Sequence, residues 1–168
     1  MNTSPRIVRY IAAVALAGSG VVATGGTPAE AAQSPAATLE NLNELIASYQ
    51  IDPVSGPYPS VGDTVHYVDY LETPDGHRVG TVYGYLNVIE KDPSTGHYID
   101  FAAERIVLAD GTIVDAGLFD LNEAFGHAWE TLPAWGVCGA YAGEYGRRDF
   151  QIVKSGVSLN ARIALSGR

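Results

Sequence analysis

The chain has 168 residues, 46% of them hydrophobic, and carries 10 basic against 19 acidic residues for a formal charge of −9. A surface that acidic repels a phosphate backbone, which argues against nucleic acid as a partner. The lone cysteine excludes an intrachain disulfide, so stability must come from a buried core.

The first thirty or so residues do not read as part of a fold. Arg6 and Arg9 precede the apolar run IAAVALAGSGVVA, and Ala29-Glu30-Ala31 puts small residues at the two positions a signal peptidase reads. The run is shorter than the ~20 residues of a membrane span and is broken by glycine and serine. Residues 1–31 are therefore predicted to be a secretory signal peptide cleaved after Ala31, giving a secreted protein with no membrane span in its mature form. Cleavage leaves 137 residues, enough for one domain, at a formal charge of −10 from 8 basic and 18 acidic residues.

Residues 32–60 are predicted to be an N-terminal helix and linker. Leu39, Leu42, Leu45, Ile46 and Tyr49 recur at helical spacing behind Thr38, a fair N-cap. This short helix either packs on the domain or acts as a lid over a cavity. DPVSGPYPS then reads as linker.

Residues 61–168 form the predicted domain. β-Branched and aromatic residues dominate from Val61, and candidate strands cover 63–72, 79–90, 97–108, 112–121, 128–132, 147–154 and 157–165. TPDG, DPSTG, ADG and KSG supply hairpin turns between them. Short strands, tight hairpins and no crossover helix predict an all-β fold, an antiparallel barrel or sandwich. Closure into a barrel removes exposed edges in a protein without disulfides. TVYGYLNVI has apolar residues on both faces, as expected of a barrel whose outside meets another copy or a covering helix.

No cofactor or metal is expected. His66, His77, His97 and His127 show no ligand spacing, and neither H-x-x-x-H nor C-x-x-C occurs. The stretch LPAWGVCGAYAGEYGRRDF lacks the strand, G-x-G-x-x-G, helix order of a phosphate loop, and Glu144 would oppose an anion. Cys138 has no local base and reads as a small packed side chain in a turn, among glycines with an architectural role.

Several charged residues share strand faces with apolar ones. Val65, Tyr67, Asp69 and Leu71 lie on one face, as do Ala102, Glu104, Ile106 and Leu108, and Arg148, Phe150 and Ile152. If those faces look inward, the lumen holds acids and an arginine, and buried charge demands pairing of Arg148 with Glu104 or Asp69. If they look outward, these are solvated residues. Alternation alone leaves both readings open.

VGDTVHYVDYLETPDGHRVGTVYGYLNVIE, YIDFAAERIVLADGTIVDAG and LPAWGVCGAYAGEYG together resemble the allene oxide cyclase and dirigent barrel superfamily, from about Val61 to Leu165. The agreement through DLNEAFGHAWETLPAWGVCGAYAG and the closing ARIAL is similar to actinomycete cyclases that form spirotetronate polyketides by intramolecular 4+2 addition. The resemblance implies a closed antiparallel barrel of about eight strands, free of cofactors, folding an apolar polyene in its cavity. It also assigns the faces. Tyr67 stands where these relatives have a pocket Phe, Asp69 where the plant enzymes have a water-holding Asn, Phe150 at a stacking Trp and Ile152 at a Met. Tyrosines of the spirotetronate relatives are replaced by Ala102 and Leu132, which implies a roomier or differently shaped cavity. The catalytic glutamate of the plant enzymes lies on a strand before the Gly-Asp start, where residues 39–60 show no counterpart.

The expected catalytic residues are thus Tyr67, Arg148 and Phe150. Asp69, Leu86, Ala102, Glu104, Leu121, Leu132 and Ile152 are expected to bind the substrate. The expected function is cofactor-free ring closure of an apolar unsaturated natural-product intermediate, of polyketide type. A secreted dirigent-like or hydrophobic small-molecule binder without turnover is the alternative. A purely structural protein would instead have a filled interior. The partners expected are an apolar small molecule and, from the apolar outer faces, further copies of the chain.

Overall fold

The structure, a computed structural model, describes residues 37–167; the expected signal peptide lies outside them. Eight strands follow one another in chain order: β1 Thr38–Asp52, β2 Thr64–Glu72, β3 Arg78–Lys91, β4 Tyr98–Leu108, β5 Gly111–Asp120, β6 Trp129–Gly139, β7 Tyr145–Lys154 and β8 Ser158–Ser166. One helical turn, α1 Leu121–Phe125, sits between β5 and β6. Each strand pairs antiparallel with the next and β8 returns to β1, which closes the barrel. No helix among the described residues is long and apolar enough to cross a membrane.

The largest departure from expectation is β1. Residues 38–52 form a strand, not a helix, so the barrel begins well before Val61. The pairing register shifts twice, between Leu39 and Leu42 against β8 and between Ile46 and Ser48 against β2. Each shift adds a residue and breaks the period-2 alternation. Leu39, Leu42, Ile46 and Tyr49 therefore fall at intervals of three and four, which imitates a helix. Leu45, a core position of that imagined helix, is 37% exposed. An isolated helix of this length is marginal in water, whereas a strand here satisfies the edges of both β2 and β8.

The segment expected as a linker is tied down as well. Asp63, fully buried, accepts N–H bonds from Val54 and Ser60 at 2.7 and 2.8 Å. Tyr58 packs against the buried cluster around Phe150. Strand β6 runs past the expected 128–132 to Gly139, through Pro133. Pairing with β5 starts only at Ala134, so the proline stands at the end of that ladder, where a missing N–H is tolerated. A bulge between Thr112 and Ile113 then interrupts the alternation. Cys138 is turned out and exposed, not packed in a turn as expected. The turn after it needs left-handed backbone at Gly139 and Gly143.

Inside, the barrel is layered. One end is a solid plug built on Leu42, Leu71, Val82, Ile106, Ile113 and Ile163. The other end carries a looser cluster including Val88, Ala102, Phe119, Leu121, Leu132 and Phe150. Asp120 caps α1 by accepting from the N–H groups of Asn122 and Glu123 at 2.9 and 3.0 Å. That cap docks Leu121 and Ala124 into the second cluster. Outside, Tyr83, Leu118 and Val137 remain exposed.

Candidate active site

Between the two clusters lies a layer of charge. β1 contributes Glu44, β2 Asp69, β4 Glu104, β5 Asp115 and β7 Arg148, all buried. Simple alternation puts the four acids there, because each sits two positions from a plug residue, Leu42 on β1, Leu71 on β2, Ile106 on β4 and Ile113 on β5. Arg148 Nη2 lies 2.6 Å from Glu44 Oε2, Nη1 lies 2.8 Å from Glu104 Oε2, and Nε lies 3.9 Å from Asp115 Oδ2. The pairing of Arg148 with Glu104 anticipated from strand faces is present. The Tyr67 hydroxyl donates to Glu104 Oε1.

One guanidinium among four carboxyls in an apolar barrel cannot neutralise them all, and burial resists the surplus charge. Burial, reinforced by the Glu44 charge, pushes the Asp69 carboxyl up to about 9. Burial also lifts Glu104 well above the usual carboxylate range against the pull of Arg148, and raises Asp115. Burial by itself would lower Arg148, but Glu104, Glu44 and Asp115 hold it firmly protonated. Tyr67 is raised by burial and by the nearby Glu104 charge.

Above this floor opens a cavity of about 230 Å³. Among the expected site residues, Tyr67, Asp69, Leu86, Ala102 and Glu104 line it, as do Leu121, Arg148, Phe150 and Ile152. Leu132 does not. It is fully buried in the cluster with Phe119 and Phe150. Phe119 meets Phe150 edge to face, centroids 5.3 Å apart, giving a rigid aromatic wall. The Arg148 guanidinium carbon lies 5.2 Å from the Phe150 centroid, so the floor braces that ring. Opposite, Tyr67 pairs with Gly84 across β2 and β3, and its ring occupies the space a Gly84 side chain would take. Lys154, Ser155 and Gly156 of the β7 to β8 turn, together with the exposed Phe125, mark the mouth.

Sequence reasoning missed Glu44, Asp115, Tyr58 and Phe119. Glu44 was concealed by the helical reading of β1, although Leu42, Glu44 and Ile46 alternate locally. It lies on a strand ahead of Gly62-Asp63, where the resemblance had found no counterpart to the plant glutamate. Tyr58, in the supposed linker, lines the cavity and places its hydroxyl 3.5 Å from Asp100, whose carboxyl burial pushes up to about 6. His97, Asp120 and Glu123 bring possible metal-ligand atoms together near α1. Asp120 there already accepts from two backbone N–H groups and contacts His97 Nδ1 at 2.7 Å, which accounts for the cluster as a helix cap.

Residues 43–165 match the family model of the allene oxide cyclase barrel like domain. The solved structures that share the fold include the following three. AbnU, an exo-specific intermolecular Diels-Alderase, aligns at 26% identity with a TM-score of 0.72, over 79% of this chain and 97% of its own. A nonspecific heme-binding cyclase that catalyses 4+2 cycloaddition during neoabyssomicin biosynthesis aligns at 26% identity and TM-score 0.75, over 80% of this chain and 68% of its own. The Diels-Alderase AbmU from Streptomyces koyangensis aligns at 27% identity and TM-score 0.73, over 79% of this chain and 64% of its own.

Proposed function

The chain belongs to the allene oxide cyclase barrel-like family, and from that premise we propose that it is a cofactor-free cyclase. Its reaction is ring closure within one apolar, unsaturated natural-product intermediate of polyketide type, by 4+2 addition or a related step. The observation that carries this reading is a blind apolar cavity with aromatic walls, closed at its inner end by an ion-paired floor. Three solved relatives of this fold whose names state 4+2 or Diels-Alder chemistry support the cycloaddition, the named reaction of AbnU being intermolecular.

Such a ring closure requires a chain held in its reactive fold, and ideal alignment can remove ~7–11 kcal/mol of barrier. Phe119, Phe150 and Tyr67 supply the walls, while Ile152 and Leu121 shape the space between them. Arg148 donates from Nη2 to Glu44 and is ion-paired with Glu104, so its part is to fix the floor and brace Phe150. At about 230 Å³ the cavity is smaller than the ~300 Å³ at which drug-sized pockets begin. It takes the reacting segment of the substrate, and the remainder extends through the mouth.

Incubation with a linear polyene carrying a diene and an alkene tests the reading. The wild-type protein should convert it with turnover, and Phe150→Ala and Tyr67→Ala should each slow conversion by about a hundredfold. Unchanged conversion in both variants would show the pocket assignment to be wrong. A polyene that co-purifies without product would favour the non-catalytic binding barrel. Export fits the basic, apolar and small-residue order of residues 1–31; secreted material should then begin at Ala32 on N-terminal sequencing.

A further inference from the structure

The floor carries more acid groups than a purely pericyclic cavity needs, four carboxyls against one guanidinium. Ile46 pairs with Asp69 and Glu44 with Leu71 across β1 and β2, so Glu44 and Asp69 are diagonal neighbours on the lumen face. Both carboxyls are buried and both line the cavity. Two adjoining buried carboxylates repel each other, which favours a proton on one of them. Glu44 Oε1 and Asp69 Oδ1 are buried and have no hydrogen-bond partner among the described residues. Glu44 has the Arg148 guanidinium at 2.6 Å, whereas no cation lies within ion-pair distance of the buried Asp69 among the described residues, so the proton is assigned to Asp69. Glu104 and Asp115 are a second pair of buried carboxyls beside Arg148. Of the two pairs, only the first has both members lining the cavity.

Every charged or titratable neighbour is thereby placed. Glu44 faces Asp69 from β1, Tyr67 shares its own strand, Glu104 and Asp115 stand on β4 and β5, and Arg148 on β7. On β3 its partner is the apolar Val82. A substrate carboxylate would meet this excess of acids and be repelled, whereas a neutral carbonyl oxygen would find a donor.

We propose that Glu44 and Asp69 form a proton-transfer dyad acting on a neutral conjugated carbonyl compound, with Asp69 donating to the carbonyl oxygen and Glu44 taking a proton from the γ carbon. The broken γ C–H bond leaves its electron pair as the new β,γ double bond. The α,β double-bond pair moves to join the carbonyl carbon and α carbon, and the carbonyl π pair goes to oxygen, which binds the Asp69 proton. The product is a dienol. Glu44 ends protonated and Asp69 ionised, and the reverse step restores both. This rests on the cyclase reading and deepens it, because a dienol is an electron-rich diene of the kind a 4+2 closure consumes. Two carboxyls with opposed protonation side by side in an apolar cavity are suited to such paired acid and base work.

The test needs no natural substrate. Nonenone, a linear methyl ketone with its double bond conjugated to the carbonyl, is incubated with the protein in heavy water, and deuterium at the γ carbon is followed by proton NMR. The wild-type protein should deuterate that carbon about a hundredfold faster than the protein-free solution. Asp69→Asn, which keeps the shape and can still donate to Glu44, should reduce exchange to near the protein-free rate while nonenone still binds. The wild-type rate should fall as pH rises past about 9, where Asp69 loses its proton, and this limb gives a reading even if the variant folds poorly. Binding without γ exchange, or full exchange in Asp69→Asn, overturns the dyad and leaves the apolar cavity intact. Failure of both nonenone and the matching hydrocarbon to bind overturns the cavity reading and the dyad with it.

Discussion

At the scale of single residues, the site depends on what is absent as much as on what is present. Gly84 faces Tyr67, and a Cβ there would overlap the tyrosine ring. Gly84→Ala should therefore push Tyr67 off its wall and destabilise the barrel by about 1–3 kcal/mol, as overpacking does. Urea unfolding measures the cost. The same substitution in a Tyr67→Ala background should cost much less, because the colliding ring is gone. Tyr67 was legible as a lumen residue through the resemblance, since alternation alone left its face open. Gly84 was visible in TVYGYLNVI, but its reason lies across the sheet on another strand. Cys138 shows the opposite failure, since one bulge turned an expected interior side chain to solvent.

At the scale of elements, β1 decides the most. It closes the barrel, delivers Glu44 to the floor and carries Tyr49 and Ile51 to the cavity. Asn41 sits at its first bulge with φ 56°, a left-handed conformation that asparagine tolerates and β-branched residues resist. Asn41→Gly should leave stability nearly unchanged, and Asn41→Val should cost about 1–2 kcal/mol in a denaturant titration. A helix at this position would respond differently, with glycine the costly substitution by about 0.8–1 kcal/mol relative to alanine. The remaining strands were largely legible, because β2, β3, β4, β7 and β8 are bounded by turn residues and alternate without interruption through their lumen positions. The end of β6 was not, since a proline and two glycines inside a strand carry the signature of a loop.

At the scale of the whole molecule, the buried acids set how stability responds to pH. Asp69 has a reference value of 3.8 in an open chain and is raised to about 9 in the barrel, so the folded state holds a proton that the unfolded chain releases between those limits. Stability then falls as pH rises across that window and recovers on acidification, until the acids with lowered values begin to protonate. Burial shifts Glu104 and Asp115 in the same direction. Asp149, kept low by Thr131 and by Arg162 at 2.7 Å, acts oppositely and only at the acid end. The urea midpoint should accordingly be higher near pH 5 than near pH 9, and the slope should be shallower in Asp69→Asn. A midpoint that rises across the same range would mean that Asp69 is ionised in the folded protein.

By itself the sequence determined the β class, the hairpin order from Val61 onward and the preference for a closed barrel, because these follow from strand pattern and turn chemistry within each segment. The resemblance to a barrel family assigned the lumen faces. Only the tertiary structure decided that residues 38–52 are a strand, that Glu44 and Asp115 join Glu104 around Arg148, and that Glu44 and Asp69 adjoin across β1 and β2. The physical reason is common to all three. Bulges scramble the local period, and a buried charge is defined by partners on strands up to 104 residues away in the chain, so neither can be read until the barrel has closed.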